Sequence, residues 1–131
     1  MGFWFGALTG GGLFEFRDGK LVQRSDYRKV FPEGLCFYKG SITTSDGRVL
    51  FSAKEGVLVW DGYRFSKIDE IPYLSQVCII YEDPVDKSLL FGTGLGLYHL
   101  KDGKMAHYPQ FTAEAQGIVE GIVRESDGAY W

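Results

Sequence analysis

Apolar and polar residues alternate along this chain in short bursts, each ended by a turn signal. The stretch from Val77 shows the pattern most clearly. Val77-Cys78-Ile79-Ile80-Tyr81 is apolar and rich in β-branched residues, which predicts a buried strand. Glu82-Asp83-Pro84-Val85-Asp86-Lys87 is polar and contains proline, so it turns the chain. Leu89 to Thr93 predicts a second strand, and Gly94-Leu95-Gly96 a tight connection in which glycine can take positive φ. Leu97 to Leu100 is a third strand, Lys101-Asp102-Gly103-Lys104 a hairpin signal, and Met105 to Tyr108 a shorter, more polar fourth strand ended by Pro109.

The same order occurs three times. Phe3-Trp4-Phe5-Gly6-Ala7 recurs as Val49-Leu50-Phe51-Ser52-Ala53 and as Leu89-Leu90-Phe91-Gly92-Thr93. Each copy leads to a glycine-headed apolar pair (Gly12-Leu13, Gly56-Val57, Gly96-Leu97) and then to an Asp-Gly turn at Asp18, Asp61 or Asp102. Phe5 to Phe51 is 46 residues and Phe51 to Phe91 is 40, a period characteristic of propeller blades. Four short antiparallel strands per repeat predict an all-β fold of β-propeller blades, about three in number. The second copy predicts strands at Val57–Trp60 and Tyr63–Ile68. The first predicts strands at Phe3–Ala7, Leu13–Phe16 and Lys20–Gln23, and lacks an innermost one. The predicted divisions are an incomplete blade 1 over 1–30, blade 2 over 31–70, blade 3 over 71–112, and the first strand of a further blade over 113–131. No substantial helix is predicted; Ala113 to Gln116 has room for one turn.

Three blades do not close a ring, since propellers have about four to eight. Val119 to Glu125 matches Val77 to Asp83 and has no blade of its own, while blade 1 lacks its first strand. A strand-exchanged homodimer of six blades would satisfy both. An excised piece of a longer propeller is the alternative.

Composition narrows the function classes. Of 131 residues, 45% are hydrophobic and 24% charged, which suits a packed core and argues against disorder. The formal charge of −3, with basic residues scattered among acids, gives no nucleic-acid face. No apolar run approaches the roughly 18 residues of a membrane span, so no membrane contact is expected. Met1-Gly-Phe-Trp-Phe-Gly lacks the basic start and long apolar stretch of a signal peptide. Cys36 and Cys78 are too few for a disulfide framework, have no second ligand at zinc-like spacing, and read as buried thiols.

Candidate chemistry is sparse. Gly92-Thr93-Gly94-Leu95-Gly96 lacks the dinucleotide spacing and leads into a strand, not a helix. His99 and His107 flank one hairpin with no partner ligand nearby, so no metal site is predicted. Glu82 and Asp83 are adjacent on a strand and point to opposite faces, which suits backbone capping better than paired acid catalysis. No nucleophile has a base placed for it, so no catalytic residue and no cofactor is predicted. The aromatics Trp4, Phe5, Phe51, Trp60, Phe65, Phe91 and Tyr98 fall on strands and are expected to pack between blades. Tyr27, Phe31, Tyr73 and Phe111 instead lie in blade connections, which crown one face together with loops such as Lys54–Glu55 and Gly94–Leu95. The candidate ligand-binding residues are therefore Tyr27, Phe31, Lys54, Glu55, Tyr73 and Phe111. Their rings serve either to stack on a sugar or to plug the core.

The chain resembles the regulator-propeller repeats of bacterial two-component systems. Val77, Ile80, Glu82, Asp83, Leu89 to Thr93 and Gly96-Leu97-Tyr98 carry the third copy of that repeat. Phe3 to Gly6 with Gly11 to Phe14, and Ser126 to Trp131, match it elsewhere. Ser52-Ala53 departs from its Gly-Thr, Thr43-Thr44 from its Glu-Asp, and Lys87 stands where its turn glycine is expected. The resemblance implies a non-catalytic, extracytoplasmic (periplasmic) sensor region of a hybrid histidine kinase, with oligosaccharide as the ligand class. A protein-interaction scaffold is the alternative, and a propeller lyase or hydrolase a more distant one.

Overall fold

The computed structural model describes residues 2–6 and 13–108. The described residues contain eleven strands: β1 Gly2–Gly6, β2 Leu13–Arg17, β3 Lys20–Arg24, β4 Ile42–Thr43, β5 Val49–Ser52, β6 Val57–Trp60, β7 Phe65–Lys67, β8 Val77–Glu82, β9 Leu89–Thr93, β10 Gly96–Lys101 and β11 Lys104–Tyr108. They form three antiparallel sheets in sequence order, β1-β2-β3, β4-β5-β6-β7 and β8-β9-β10-β11. The fold is all-β. One 3-10 turn at Asp26–Lys29 is the single helical element among the described residues. It lies in the connection after β3, where the sequence shows no apolar periodicity to announce it.

Register confirms that the three repeats are structurally equivalent. Phe5 pairs with Phe14, Phe51 with Leu58, and Phe91 with Tyr98. The hairpin turns obey local chemistry: Asp18-Gly19 and Asp102-Gly103 place both residues at positive φ, as a two-residue hairpin requires. Lys87 takes a positive φ of 63° where the corresponding turn of the second sheet has Gly47 at 89°. The inner strand of the second sheet is shorter than its counterpart. It is reduced to Ile42–Thr43 plus an isolated bridge between Phe37 and Ala53, because the chain turns at Lys39-Gly40. In the third sheet the matching strand runs unbroken through Val77–Glu82, with a register shift between Val77 and Ile79.

The core lies between sheets, in two layers. Leu13 and Trp4 of the first sheet meet Phe51, Leu58, Trp60 and Phe65 of the second. Leu50, Val57 and Val59 on the second sheet's other face meet Leu89, Phe91 and Tyr98 of the third. Trp4, Phe51, Trp60, Phe65, Phe91 and Tyr98 thus pack between sheets, with Trp4 edge-on to Phe51, Trp60 and Phe65 at centroid distances of 5.3, 5.6 and 6.1 Å, while the side chain of Phe5 lies outside the described residues. The first layer also contains a buried acid. Glu15 accepts a hydrogen bond from Arg24 Nη1 at 3.1 Å, and Arg17 Nη2 lies 2.7 Å from its other oxygen, close enough to pair but off the hydrogen-bonding direction. Arg24 in turn spans Trp60 at 4.7 Å and Phe65 at 5.7 Å.

Polar positions of the repeat serve the backbone. Glu82 accepts from Ser45 N–H at 2.8 Å and Ser45 Oγ at 3.1 Å, joining the second sheet's turn to β8. Asp83 is buried and accepts from Val85 N–H at 2.7 Å. Thr93 Oγ1 donates to the Gly96 carbonyl at 2.7 Å and accepts from Leu95 N–H at 3.0 Å, while Ala53 holds the same position in the second sheet without a hydroxyl. Thr93→Ala is therefore expected to destabilise the chain by about 1–2 kcal/mol, since it leaves the Leu95 amide without its acceptor. Urea-unfolding midpoints of the two proteins check this.

Turn carboxylates also set the acid response. Hydrogen bonds from Ser88, then the Lys101 ammonium at 3.3 Å, lower Asp86 to about 2. Asp26 is lowered chiefly by its hydrogen bond from Arg24, and Asp46 by that from Thr44. Depressed folded values mean that these groups stabilise the fold above the unfolded carboxylate value of about 3.9, and that this stability is lost as pH falls toward about 2. Melting temperature should accordingly drop between about pH 4 and pH 2, and Asp86→Asn should flatten that drop.

Cys36 and Cys78 form no disulfide and are half-buried, less enclosed than the buried thiols expected from the sequence. His107 stacks on Tyr98 (centroids 4.1 Å apart) and places Nε2 2.7 Å from the Leu95 carbonyl. His99 pairs instead across from Ala106. Neighbours along a strand alternate faces, so the two histidines do not converge on one site. Among the described residues no group of three potential metal ligands occurs, and no helix is long and apolar enough to cross a membrane. The predicted helical turn at 113–116, the loop 8–12 and the strand 119–125 lie outside the described residues.

Candidate functional site

Three connections meet at one end of the second and third sheets: the segment after β3, the Lys54-Glu55 loop between β5 and β6, and the segment from Ile68 to Gln76. They are stitched by backbone hydrogen bonds. Lys54 N–H donates to the Cys36 carbonyl at 2.9 Å, Leu74 N–H to Glu55 at 3.0 Å, and Gln76 N–H to Lys54 at 2.8 Å. Gly94 N–H extends the chain to Ser75, again at 2.8 Å. The Glu55 carboxylate adds a side-chain link, accepting from Cys36 N–H at 2.8 Å.

This stitching holds an unusual backbone. Leu74 and Gln76 both sit at positive φ, 65° and 56°, which side-chain-bearing residues seldom adopt. In the second repeat the position equivalent to Leu74 is Gly34, also at positive φ (87°), where glycine meets no steric cost. The third repeat forces the same geometry on a leucine, and left-handed conformations of this kind cluster at ligand clamps. One result is that Tyr73, just ahead of Leu74, is 54% exposed on the face of the loops.

Two adjoining cavities open beside Tyr73. One of about 230 Å³ is lined by Phe31, Pro32, Glu33 and Tyr73. The other, of about 110 Å³, reaches inward past Glu55, Lys67 and Asp69 and shares Phe31 and Tyr73 as walls. Tyr73 Oη donates to Glu33 Oε2 at 3.3 Å, and its hydroxyl is held above the ordinary tyrosine value by desolvation and then by the Glu33 carboxylate. Lys67 Nζ stands 5.9 Å from the Phe31 ring centroid. The cleft therefore has an apolar floor, an exposed aromatic edge and hydrogen-bonding groups at its rim. Apolar walls beside convergent polar groups are features of small-molecule sites, and here the inner cavity is the more polar of the two.

Of the six residues singled out from the sequence, Phe31, Glu55 and Tyr73 converge on this cleft. Lys54 is exposed in the adjoining loop and contributes its backbone to the stitching. Of the two roles open to Tyr27, the structure gives packing: it is buried against Phe37 and Phe65 at 6.1 and 6.4 Å. Phe111 lies outside the described residues. Sequence reading missed Glu33 and Pro32, which precede the turn glycine Gly34 and so sit where a loop tip would be sought.

No family model and no curated protein matches the chain. Solved structures do. One, described as the extracellular domain of the hybrid two component system BT3049 from B. thetaiotaomicron, superposes with a TM-score of 0.71 at 23% identity over 99% of this chain. A second, described as the extracellular domain of the hybrid two component system BT4673 from the same organism, gives 0.73 at 18% identity over 97%. The chain spans 18% of the length of each. At these identities the likeness is one of fold.

Proposed function

We propose that this chain is a ligand-sensing segment of a β-propeller, belonging to the extracytoplasmic region of a two-component sensor, and that its loop-face cleft receives an oligosaccharide. The fold shared with extracellular domains of hybrid two component systems supports the sensor setting. The single observation that carries the binding site is the paired cavity walled by Phe31 and Tyr73. A sugar ring presents an apolar face that stacks on an aromatic ring and a hydroxyl rim that hydrogen-bonds to carboxylates. Tyr73 supplies the first surface, and Glu33 and Glu55 the second. The three sheets act in this reading as blades over the divisions 1–30, 31–70 and 71–112. No step of bond making or breaking is assigned to the segment.

Signal would arise because the cleft straddles two sheets. Phe31 packs in the layer between the first and second sheets, whereas Tyr73 lies on the segment leading into the third. A ligand gripped by both favours one angle between sheets over others, which is the differential affinity that any ligand-driven change requires. Calorimetry against a glycan panel tests the reading. Tyr73→Ala, a change at an exposed ring, should weaken binding of any positive glycan by about 10-fold or more. It should leave thermal stability within about 0.5 kcal/mol. Binding unaffected by Tyr73→Ala and Glu33→Gln would place the ligand elsewhere and remove this site.

A further inference from the structure

We propose that the loop-face cleft selects an oligosaccharide carrying a free amino group, whose ammonium pairs with Glu55 in the inner cavity. The inference rests on the binding reading above and narrows it to one ligand class. Charge at the cleft carries it. Glu33 lines the outer cavity, and Glu55 and Asp69 line the inner one. Against these three carboxylates the lining sets one cation, Lys67. Among the described residues no lysine or arginine lies within ion-pairing distance of any of the three, and Lys67 Nζ stands over the Phe31 ring instead.

Glu55 differs from the other two in depth. It is 9% exposed, whereas Glu33 and Asp69 are open to solvent. Its Oε1 accepts from Cys36 N–H, and among the described residues its Oε2 takes no hydrogen bond. A carboxylate withdrawn from water and held by a single amide is incompletely compensated, and an entering cation supplies what is missing. Desolvation first, then the Glu33 and Glu55 carboxylates, raise the Tyr73 hydroxyl, so the field of both acids reaches the wall that the cavities share. An ammonium matches this setting because it brings three donors and no acceptor to a cleft already rich in acceptors. Phe31 and Tyr73 add ring faces that attract a cation, as the position of Lys67 over Phe31 illustrates. Acetylating the amine removes its charge, and a uronate in the same place sets a fourth carboxylate against three.

Calorimetry at about pH 6, where an amine is protonated and carboxylates are ionised, compares glucosamine oligomers, the same oligomers N-acetylated, and galacturonate oligomers. The free-amine form should bind about 10-fold or more tighter than the N-acetylated form, and the galacturonate form weakest. Glu55→Gln keeps an acceptor for Cys36 N–H and should cut the preference for the free amine to about 3-fold or less. Asp69→Asn, at an exposed position, should also lower that preference, and circular dichroism establishes that each variant is folded. N-acetylated oligomers that bind through Tyr73 as tightly as free-amine ones overturn the inference and leave the cleft a site for uncharged sugars. A free-amine preference that survives Glu55→Gln overturns it as well. No Tyr73-dependent binding of any of these oligomers removes the cleft reading, and this inference with it.

Discussion

Gly40→Ala is expected to lower stability by about 3 kcal/mol or more, read as a shift of the urea midpoint. A Cβ on Gly40 would lie 2.8 Å from the Cys78 carbonyl carbon and closer still to the Cys78 oxygen and the Ile79 Cα. All three are backbone atoms, so no rotamer change relieves the contact. The crowding arises where β8 changes register between Val77 and Ile79, which brings its backbone toward the turn at Lys39-Gly40. Gly40 also accepts a hydrogen bond from Ile80 N–H at 3.1 Å, and separating the two segments to admit a methyl group breaks it. Overpacking a well-filled site costs about 1–3 kcal/mol when side chains can adjust, and backbone against backbone belongs at or above the top of that range. Gly47→Ala is the comparison: it meets nothing within 4 Å, so its cost is limited to its positive φ of 89°. That cost is about 1 kcal/mol. A Gly40→Ala midpoint equal to that of Gly47→Ala would show that the two segments are not in contact.

Arg24→Ala should cost about 2–4 kcal/mol. The substitution removes the hydrogen-bonded partner of a carboxylate, that of Glu15, which is 4% exposed. It also strips a cation from the Trp60 and Phe65 rings. Arg17 remains at 2.7 Å, but its side chain is more than half exposed and holds a weaker, solvent-screened pair. Arg24→Lys should recover less than half of the loss, because an ammonium cannot lie flat on Trp60 while reaching both Glu15 and Asp26. Glu15→Gln added to Arg24→Ala should restore part of the stability by removing the stranded charge. If the double variant is no more stable than Arg24→Ala alone, the cost lies in lost packing and not in the carboxylate.

Much of the fold was legible because the repeat's signals are local. An Asp-Gly pair encodes its own turn, and the continuous apolar runs of β6 and β9 mark strands buried on both faces. The packing of Trp4, Phe51, Trp60, Phe65, Phe91 and Tyr98 followed from their strand positions. Lys87 could be flagged because the repeat expects glycine there, and its positive φ is what that expectation means physically. Features missing from the reading depend on partners far away in sequence. Leu74-Ser75-Gln76 carries no left-handed signal; it is held there by Leu74 and Gln76 N–H groups bonded to the Glu55 and Lys54 carbonyls. Gly40 is unremarkable until β8 is placed beside it. Glu15 lies two residues along β2 from Leu13, on the same face, and its pairing with Arg24 was not read from the sequence. In the candidate site, Phe31, Glu55 and Tyr73 could be nominated from loop position alone. The division of labour between Tyr27 in the core and Tyr73 at the surface could not, because both are aromatics in a connection.

The seam between the second and third sheets is built largely from main chain. Between the second and third sheets, main chain is bonded to main chain through Leu74–Glu55, Gln76–Lys54, Val77–Ala53 and Ile80–Gly40. Between the first and second, among the described residues, Trp4, Arg24 and Glu15 contribute side-chain contacts. Main-chain bonding tolerates most side-chain replacements, proline at a donor and alanine at Gly40 excepted, whereas side-chain contacts change with every replacement among them. Thermal opening of the second seam therefore has to release several main-chain bonds together, and the amides of Leu74, Gln76, Val77 and Ile80 should exchange with deuterated solvent as one cooperative group.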